Sequence, residues 1–380
     1  VLIACLALVL IASGIALPVA WIMRRISLRA GAFDSEALPG QIKERRRVPN
    51  TGGVGIFAGL ALPIAGTLLG AWFLDEQAAR GLLGPAIAAH LPGIRSKAPL
   101  ALMFLASIAL LHAMGLVDDR RPLGPRLKLG VMVLPALAIA VFTDTRLLTF
   151  LDAYAGGPWL SIALTVVWFL AVTNAMNFID NMDGLAGGVA AIAGGALLAS
   201  AFMSEQWFVA AMLALLVGSC LGFLVLNFPP AKLFMGDGGS LVLGFTLAFL
   251  TTRTTYTGES PTGQPLAGGW YAVFMPAVVL AVPLYDMLSV TLIRLRQGRS
   301  PMIGDMQHLS HRLVRRGLSR RSAVLVIWGM TASTAIGGIA LGSLEPWQAV
   351  LVGVQTALLL AVLAAFEFAS SPGRDREEHV

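Results

Sequence analysis

The sequence predicts an all-α, polytopic integral membrane protein, and three observations carry that prediction. Of 380 residues, 57% are hydrophobic and 13% charged, and the mean hydropathy is +0.78. The apolar residues run in blocks near the length of about 20 residues that a helix needs to cross a bilayer. The charged residues fall in short loops between those blocks. No soluble domain is visible in this composition, so residues 1–368 are expected to form one transmembrane domain and 369–380 a short polar tail.

Eleven spans follow, near residues 1–23, 53–74, 98–117, 128–143, 158–176, 185–203, 207–227, 238–252, 271–293, 322–342 and 346–368. The first lacks a basic leader and a clear cleavage site, which reads as a spanning helix rather than a removed signal peptide. The eighth is short for a crossing. Cys5 and Cys220 both sit inside apolar runs, as small core or lipid-facing residues do.

The net charge of +6 and pI of 9.8 do not indicate nucleic acid, because the basic residues are spread over short loops between apolar runs. With eleven spans, all 27 Lys and Arg except Arg80, Arg95, Lys97, Arg146 and Arg253 fall on one side. Positive loops stay inside, so that side is expected to be cytoplasmic in a cell inner (plasma) membrane, with the N-terminus outside and the C-terminus inside. The same assignment places Asp118-Asp119, Asp180, Asp183, Asp237, His308 and His311 on the cytoplasmic side.

Each of these groups has a chemical reading and a plain one. Asn177, Asp180 and Asp183 recur at intervals of three, so a continued helix would put a carboxamide and two carboxylates on one face. Carboxylates are costly near a bilayer, and such a face suits a metal ion or a hydroxyl-rich substrate. Asp118-Asp119 needs a cation or a shared proton, which Mg²⁺ would supply; alternatively Arg120 and Arg121 neutralise a solvated helix end. In Asn227–Ser240, Pro229-Pro230 breaks a helix, and Gly236, Gly238 and Gly239 surround Asp237. Asp237 is then a metal or phosphate ligand, or only a helix cap. Phe234 is core, or stacks on a base.

Two loops are more ambiguous. Lys43–Gly55 is a basic anchor followed by a glycine-rich helix start, or a backbone that approaches phosphate. His308, His311, Arg312 and Arg315 recur at helical intervals, as a diphosphate contact or a basic helix on anionic lipid. Asp286 lies inside a span, where it pairs with a polar group or lines the site.

In combination, Asp-Asp after span three, Asn-x-x-Asp-x-x-Asp-Gly after span five, Phe-Met-Gly-Asp-x-Gly-Ser after span seven and a His-rich loop after span nine resemble one family. It is the polyprenyl-phosphate N-acetylhexosamine-1-phosphate transferases of glycosyltransferase family 4, and the resemblance covers roughly residues 1–345. The family implies transfer of an N-acetylhexosamine-1-phosphate, GlcNAc-1-phosphate first, from a UDP-sugar to undecaprenyl phosphate. The products are a lipid-diphosphate-sugar and UMP, in the first membrane step of a cell-envelope glycan pathway. Mg²⁺ is implied as cofactor, with Mn²⁺ as a substitute, and a homodimer is compatible with it.

Carried over by position, the resemblance implies that Asp237 binds metal and that Asp118, Asp119, Asp180 and Asp183 are catalytic, Asp118 accepting the lipid-phosphate proton. It implies Lys128, Asn177, Asn227, Phe234, His308, His311 and Arg312 as substrate-binding, with Asn227 and Phe234 at the uridine. The chain departs from the family at Ser310, where a His is usual, and at Arg47–Gly53, which replaces a Pro-x-Pro-Arg-x-Gly-Gly pattern. A His at position 310 is expected to be tolerated if the loop keeps the family geometry. The competing classes are a secondary transporter of an anionic solute and a catalytically silent lipid-binding relative; transporter sites tend to lie near the midplane between repeats.

Overall fold

The computed structural model describes residues 2–31, 48–254, 258–259, 265–266, 270–300 and 306–368. The basic residues Lys43, Arg45, Arg46 and Arg47 and the tail 369–380 lie outside the described residues. The long helices are α1 (Leu2–Arg29), α2 (Gly53–Phe73), α3 (Leu91–Asp118), α4 (Pro125–Phe142), α5 (Trp159–Ile179) and α6 (Leu185–Met203). They continue with α7 (Trp207–Asn227), α8 (Asp237–Arg253), α9 (Ala281–Arg296), the short α10 (Leu309–Arg315), α11 (Arg320–Ala340) and α12 (Pro346–Phe368). Strand is confined among these residues to an antiparallel pairing of Gly258–Glu259 with Pro265–Leu266. Nine described helices are long and apolar enough to cross a membrane, so the protein is multi-pass and all-helical.

The two remaining expected spans take other forms. The 17 residues of α8 extend about 25 Å at 1.5 Å per residue, short of a hydrocarbon core of about 30 Å. They have no need to meet lipid, because every residue from Gly238 to Thr252 is buried. An apolar helix buried on all faces belongs at the centre of a bundle. Its hydroxyls are satisfied within the helix, Thr246, Thr251 and Thr252 bonding the carbonyls of Val242, Leu247 and Ala248. The expected span 271–293 is broken: a short helix Met275–Val279 ends at Leu280 and α9 begins at Ala281. Pro276 and Pro283 flank the break, and each removes a backbone donor.

Lipid supplies little hydrophobic drive between helices, so close packing has to do it. α1 shows how. Its buried Ala12, Ala16 and Ala20 lie between Gly55 and Gly59 of α2 and Gly218 and Gly222 of α7, each pair one turn apart. A Cβ on Gly218 would stand 2.2 Å from the Val9 carbonyl oxygen, and one on Gly55 would stand 2.7 Å from that of Ala16. One residue beyond Ala20, the exposed Trp21 ring lies 3.5 Å from the Arg25 guanidinium, an amphipathic pair suited to a bilayer surface.

Candidate active site

The bundle gathers the first turns of α2, α4 and α8 and the last turns of α3, α5 and α7 at one end. After α7, Pro229-Pro230 stops the helix, and the loop returns to start α8 at Asp237. The Asp237 carboxylate is held from two sides. Its Oδ1 accepts from Asn177 Nδ2 at 3.0 Å, and Asn177 also reaches Ser240 Oγ at 2.9 Å. Its Oδ2 meets the ammonium of Lys128. That Nζ lies 3.0 Å from Asp118 Oδ2, while Asp118 Oδ1 accepts from Leu123 N at 2.6 Å. One ammonium therefore joins two carboxylates that are 119 positions apart in no contiguous motif, with all three side chains less than a quarter exposed.

Asp118 and Asp119 do different work. Asp119 accepts from the backbone N–H of Asp237 at 3.0 Å and of Gly238 at 3.3 Å, so it caps α8 from outside and its charge faces the positive end of that helix. Asp237 is thus not its own cap, and its side chain is left to Lys128 and Asn177. Within the protein the two adjacent carboxylates have different partners: Asp118 takes the ammonium and Asp119 takes helix N–H groups.

The turn is also held from behind by residues that the sequence did not mark. His112 of α3 is buried, stacks on Phe57 with ring centres 4.4 Å apart, and bonds the Gly238 carbonyl through Nδ1 at 2.7 Å. A carbonyl only accepts, so Nδ1 carries the proton. Gly115 and Gly53 let backbone approach backbone. A Cβ on either would stand 2.3 Å from a backbone nitrogen, Gly238 N for Gly115 and Gly239 N for Gly53. The Gly-Gly of the first loop is therefore a packing device, and Gly52 N and Gly53 N bond the carbonyls of Phe234 and Met235 at 2.9 and 2.8 Å.

Asn227 and Asp183 brace loops. Asn227 accepts from Gly184 N at 2.9 Å and donates to Leu233 O at 2.8 Å, while Asp183 accepts from Ala231 N at 2.9 Å. These bonds lock the turn after α5 to the loop before α8. Gly184 makes that turn with φ +76°, in the left-handed region that glycine adopts freely. Helix α5 ends at Ile179 with Asp180 at its C-cap, so the expected single helical face of Asn177, Asp180 and Asp183 is interrupted. Asp180 and Phe234 are half-buried beside these loops.

The His loop joins through α5 rather than through the carboxylates. Asp286, fully buried, bonds His308 Nδ1 at 2.9 Å and Leu309 N at 2.6 Å, which caps α10 and resolves its role as a partner between helices. The His308 ring meets Phe178 edge-on at 5.6 Å. Ser310 is 1% exposed and its Oγ bonds Asn181 Oδ1, so an imidazole at 310 would have to displace α10 or the α5 turn. Arg312 is buried and bonds Glu367, Ser289 and Gln307 O, away from the Lys128 centre. Burial, with His308, Arg315 and Arg320 beside it, pushes the His311 imidazole down to about 4.

No group of three His, Cys, Asp or Glu that could hold a metal occurs among the described residues. Asp118 and Asp237 nevertheless converge on a single cation, the Lys128 ammonium, and Mg²⁺ commonly binds one or two carboxylates and takes the rest of its oxygens from phosphate and water. The donor set fits such an ion.

A family model described as glycosyl transferase family 4 matches residues 101–255. A Bacillus subtilis protein named "probable undecaprenyl-phosphate N-acetylglucosaminyl 1-phosphate transferase" is 27% identical over 90% of this chain and 86% of its own length. The Yersinia pestis undecaprenyl-phosphate alpha-N-acetylglucosaminyl 1-phosphate transferase is 26% identical over 84% of this chain and 79% of its own. The decaprenyl-phosphate N-acetylglucosaminephosphotransferase of Mycobacterium tuberculosis is 30% identical over 76% and 71%. With the motifs in place and a relative at this identity, the chain belongs to glycosyl transferase family 4, the polyprenyl-phosphate N-acetylhexosamine-1-phosphate transferases that its motifs resemble.

Proposed function

We propose that this protein transfers an N-acetylhexosamine-1-phosphate, GlcNAc-1-phosphate first, from a UDP-sugar to a polyprenyl phosphate, releasing UMP. The observation that carries this reading is the Asp118–Lys128–Asp237 centre at the end of the bundle, with Asn177 on the free side of Asp237. An oxygen of the lipid phosphate attacks the β-phosphorus of the donor, and the bond from that phosphorus to the bridging oxygen of UMP breaks. The lipid phosphate is already a nucleophile at neutral pH, so alignment and charge neutralisation dominate the barrier. Asp237 and Asp118 would hold Mg²⁺, which supplies charge neutralisation for the diphosphate and the departing UMP. Lys128 holds both carboxylates aimed at one point, and Asn177 fixes the rotation of Asp237. Asp118 takes the proton of a protonated lipid phosphate, Asp180 and Phe234 line the donor, and His308 and His311 meet its diphosphate. Asp119, Asp183, Asn227 and Arg312 act by holding the loops.

The membrane arrangement supports the same reading. Eleven crossings follow if α8 and the broken 275–296 segment each traverse the bundle. The ends that meet at the centre then lie on the basic, cytoplasmic side of the inner membrane, residues 1–368 forming one domain. The prenyl tail stays in hydrocarbon while its phosphate reaches the centre. A transporter reading has less support, because the carboxylates gather at one end of the bundle and the relatives are named as transferases. Purified protein given undecaprenyl phosphate, Mg²⁺ and a panel of UDP-N-acetylhexosamines is expected to release UMP with one donor. Release with none of them, from folded protein, would refute the assignment.

A further inference from the structure

The last helix has no task in the reading above. α12 follows the stretch that carries the family resemblance, and only 11% of its most apolar part is buried, so it lies along the outside of the bundle. Against that pattern its last turn carries a buried carboxylate. Glu367 is 4% exposed, and its side chain is fully enclosed. Its Oε2 accepts from Arg312 Nε at 2.9 Å and from Tyr285 Oη at 3.2 Å. Its backbone carbonyl accepts from Arg316 Nε and Nη2 at 3.1 and 2.6 Å. Its Oε1 has no hydrogen-bond partner among the described residues.

A buried ion pair is weak as a source of stability, and one with an unsatisfied oxygen is weaker still, since apolar residues of similar size often serve as well. What this pair does provide is direction. α10 is seven residues long and would not hold its shape alone. It is tied to α9 by His308 and Leu309 N on Asp286 and by Arg312 Nη2 on Ser289 Oγ at 2.8 Å. Its tie on the other side is Arg312 and Arg316 on Glu367. Tyr285 of α9 closes the ring on the same Glu367 oxygen.

We infer that α12 positions the His loop, with Glu367 acting through Arg312 as a positioning residue for His308 and His311. Only the ligand of those histidines, a nucleotide diphosphate, rests on the proposed transferase reading; the geometry does not. A carboxylate that acts in this way affects one substrate and not the other. In Glu367→Gln, which keeps the shape without the charge, and in Arg312→Lys, which keeps the charge without the planar fork, the KM for the UDP-sugar is expected to rise about tenfold or more. The KM for the lipid phosphate should stay within about twofold, since on the proposed reading the His loop holds the donor's diphosphate and not the lipid.

The double variant Arg312→Met/Glu367→Leu separates positioning from stability. It leaves neither charge buried alone, so its melting temperature should recover relative to the single variants. The UDP-sugar KM should remain high, because the directional bonds are gone. Recovery of KM together with stability, or single variants with unchanged KM, would overturn the inference. A second measurement does not need turnover. Nitroxides on Arg121→Cys and Arg315→Cys report the distance from the α3–α4 turn to α10, and the native Cys5 and Cys220 are both buried. The double variant should shift or broaden that distance by several ångström, and an unchanged narrow distribution would overturn the inference. If the wild-type protein released no UMP while the distance changed as expected, the transferase reading would fail and the positioning role would stand.

Discussion

Lys128→Met removes the ammonium that joins Asp118 and Asp237 while keeping the length of the side chain. Two carboxylate oxygens on one nitrogen lie about 5 Å apart, and unit charges at that distance repel by about 3 kcal/mol at an effective dielectric near 20. The carboxylates are 14% and 24% exposed, so solvent screens only part of this. Two charge-assisted hydrogen bonds are lost as well, each worth about 1.5–3 kcal/mol before partial replacement by water. The net expectation is a loss of about 2–4 kcal/mol, in line with removing one partner of a buried pair. Thermal unfolding in detergent with EDTA should show a melting temperature several degrees lower than wild type. Added Mg²⁺ should then stabilise the variant more than the wild type, because the cation enters a site that has lost its resident positive charge. A variant as stable as wild type in EDTA would refute the claim that the ammonium holds these carboxylates together.

Three further predictions follow from individual contacts. Gly115→Ala puts a methyl 2.3 Å from Gly238 N, so it should destabilise by at least about 1–3 kcal/mol and lower turnover by moving the Asp237 turn; a melting curve like wild type would contradict the close approach. Ser310→His should reduce stability and raise the UDP-sugar KM, and unchanged values for both would show that the buried Ser310–Asn181 contact is not needed. His311 has a folded value of about 4 against about 6.5 unfolded, so the unfolded chain binds the extra proton between those values. Its contribution to stability is complete above about 6.5 and is lost as pH falls toward 4. The drop in melting temperature from pH 7.5 to pH 5 should therefore be smaller in His311→Asn, and an equal drop would contradict the buried neutral imidazole.

Much of the site was legible because its chemistry stands out against an apolar background. Asp237 could be singled out from three glycines and a Pro-Pro break, and Asp118 from a charge pair ending an apolar run. The division of labour was not legible. Adjacent residues at a helix end point in different directions, and only the docking of α8 decides that Asp119 meets its N–H groups while Asp118 meets Lys128. His112 was invisible for a different reason: a lone His in an apolar helix has the pattern of an ordinary core residue, and its partner is a backbone carbonyl 126 positions away. The helical periodicity expected of Asn177, Asp180 and Asp183 failed at Asp180, which is the C-cap of α5, so the helix ends before Asp183 can join the face. Arg312 pointed toward substrate by its spacing from His308, yet it found a carboxylate on a helix that no loop motif mentions.

On the proposed reading, Asp118, Lys128 and Asp237 form the reacting centre for a UDP-sugar and a lipid phosphate. The measurement that tests it most directly is UMP release by purified wild type, Asp237→Asn and Asp118→Asn, each titrated with Mg²⁺ in the presence of undecaprenyl phosphate and the preferred donor. Mg²⁺-dependent release is expected from wild type, with a loss of about a hundredfold or more in Asp237→Asn and a large loss in Asp118→Asn, all three proteins being folded. Near wild-type release by folded Asp237→Asn would contradict that reading.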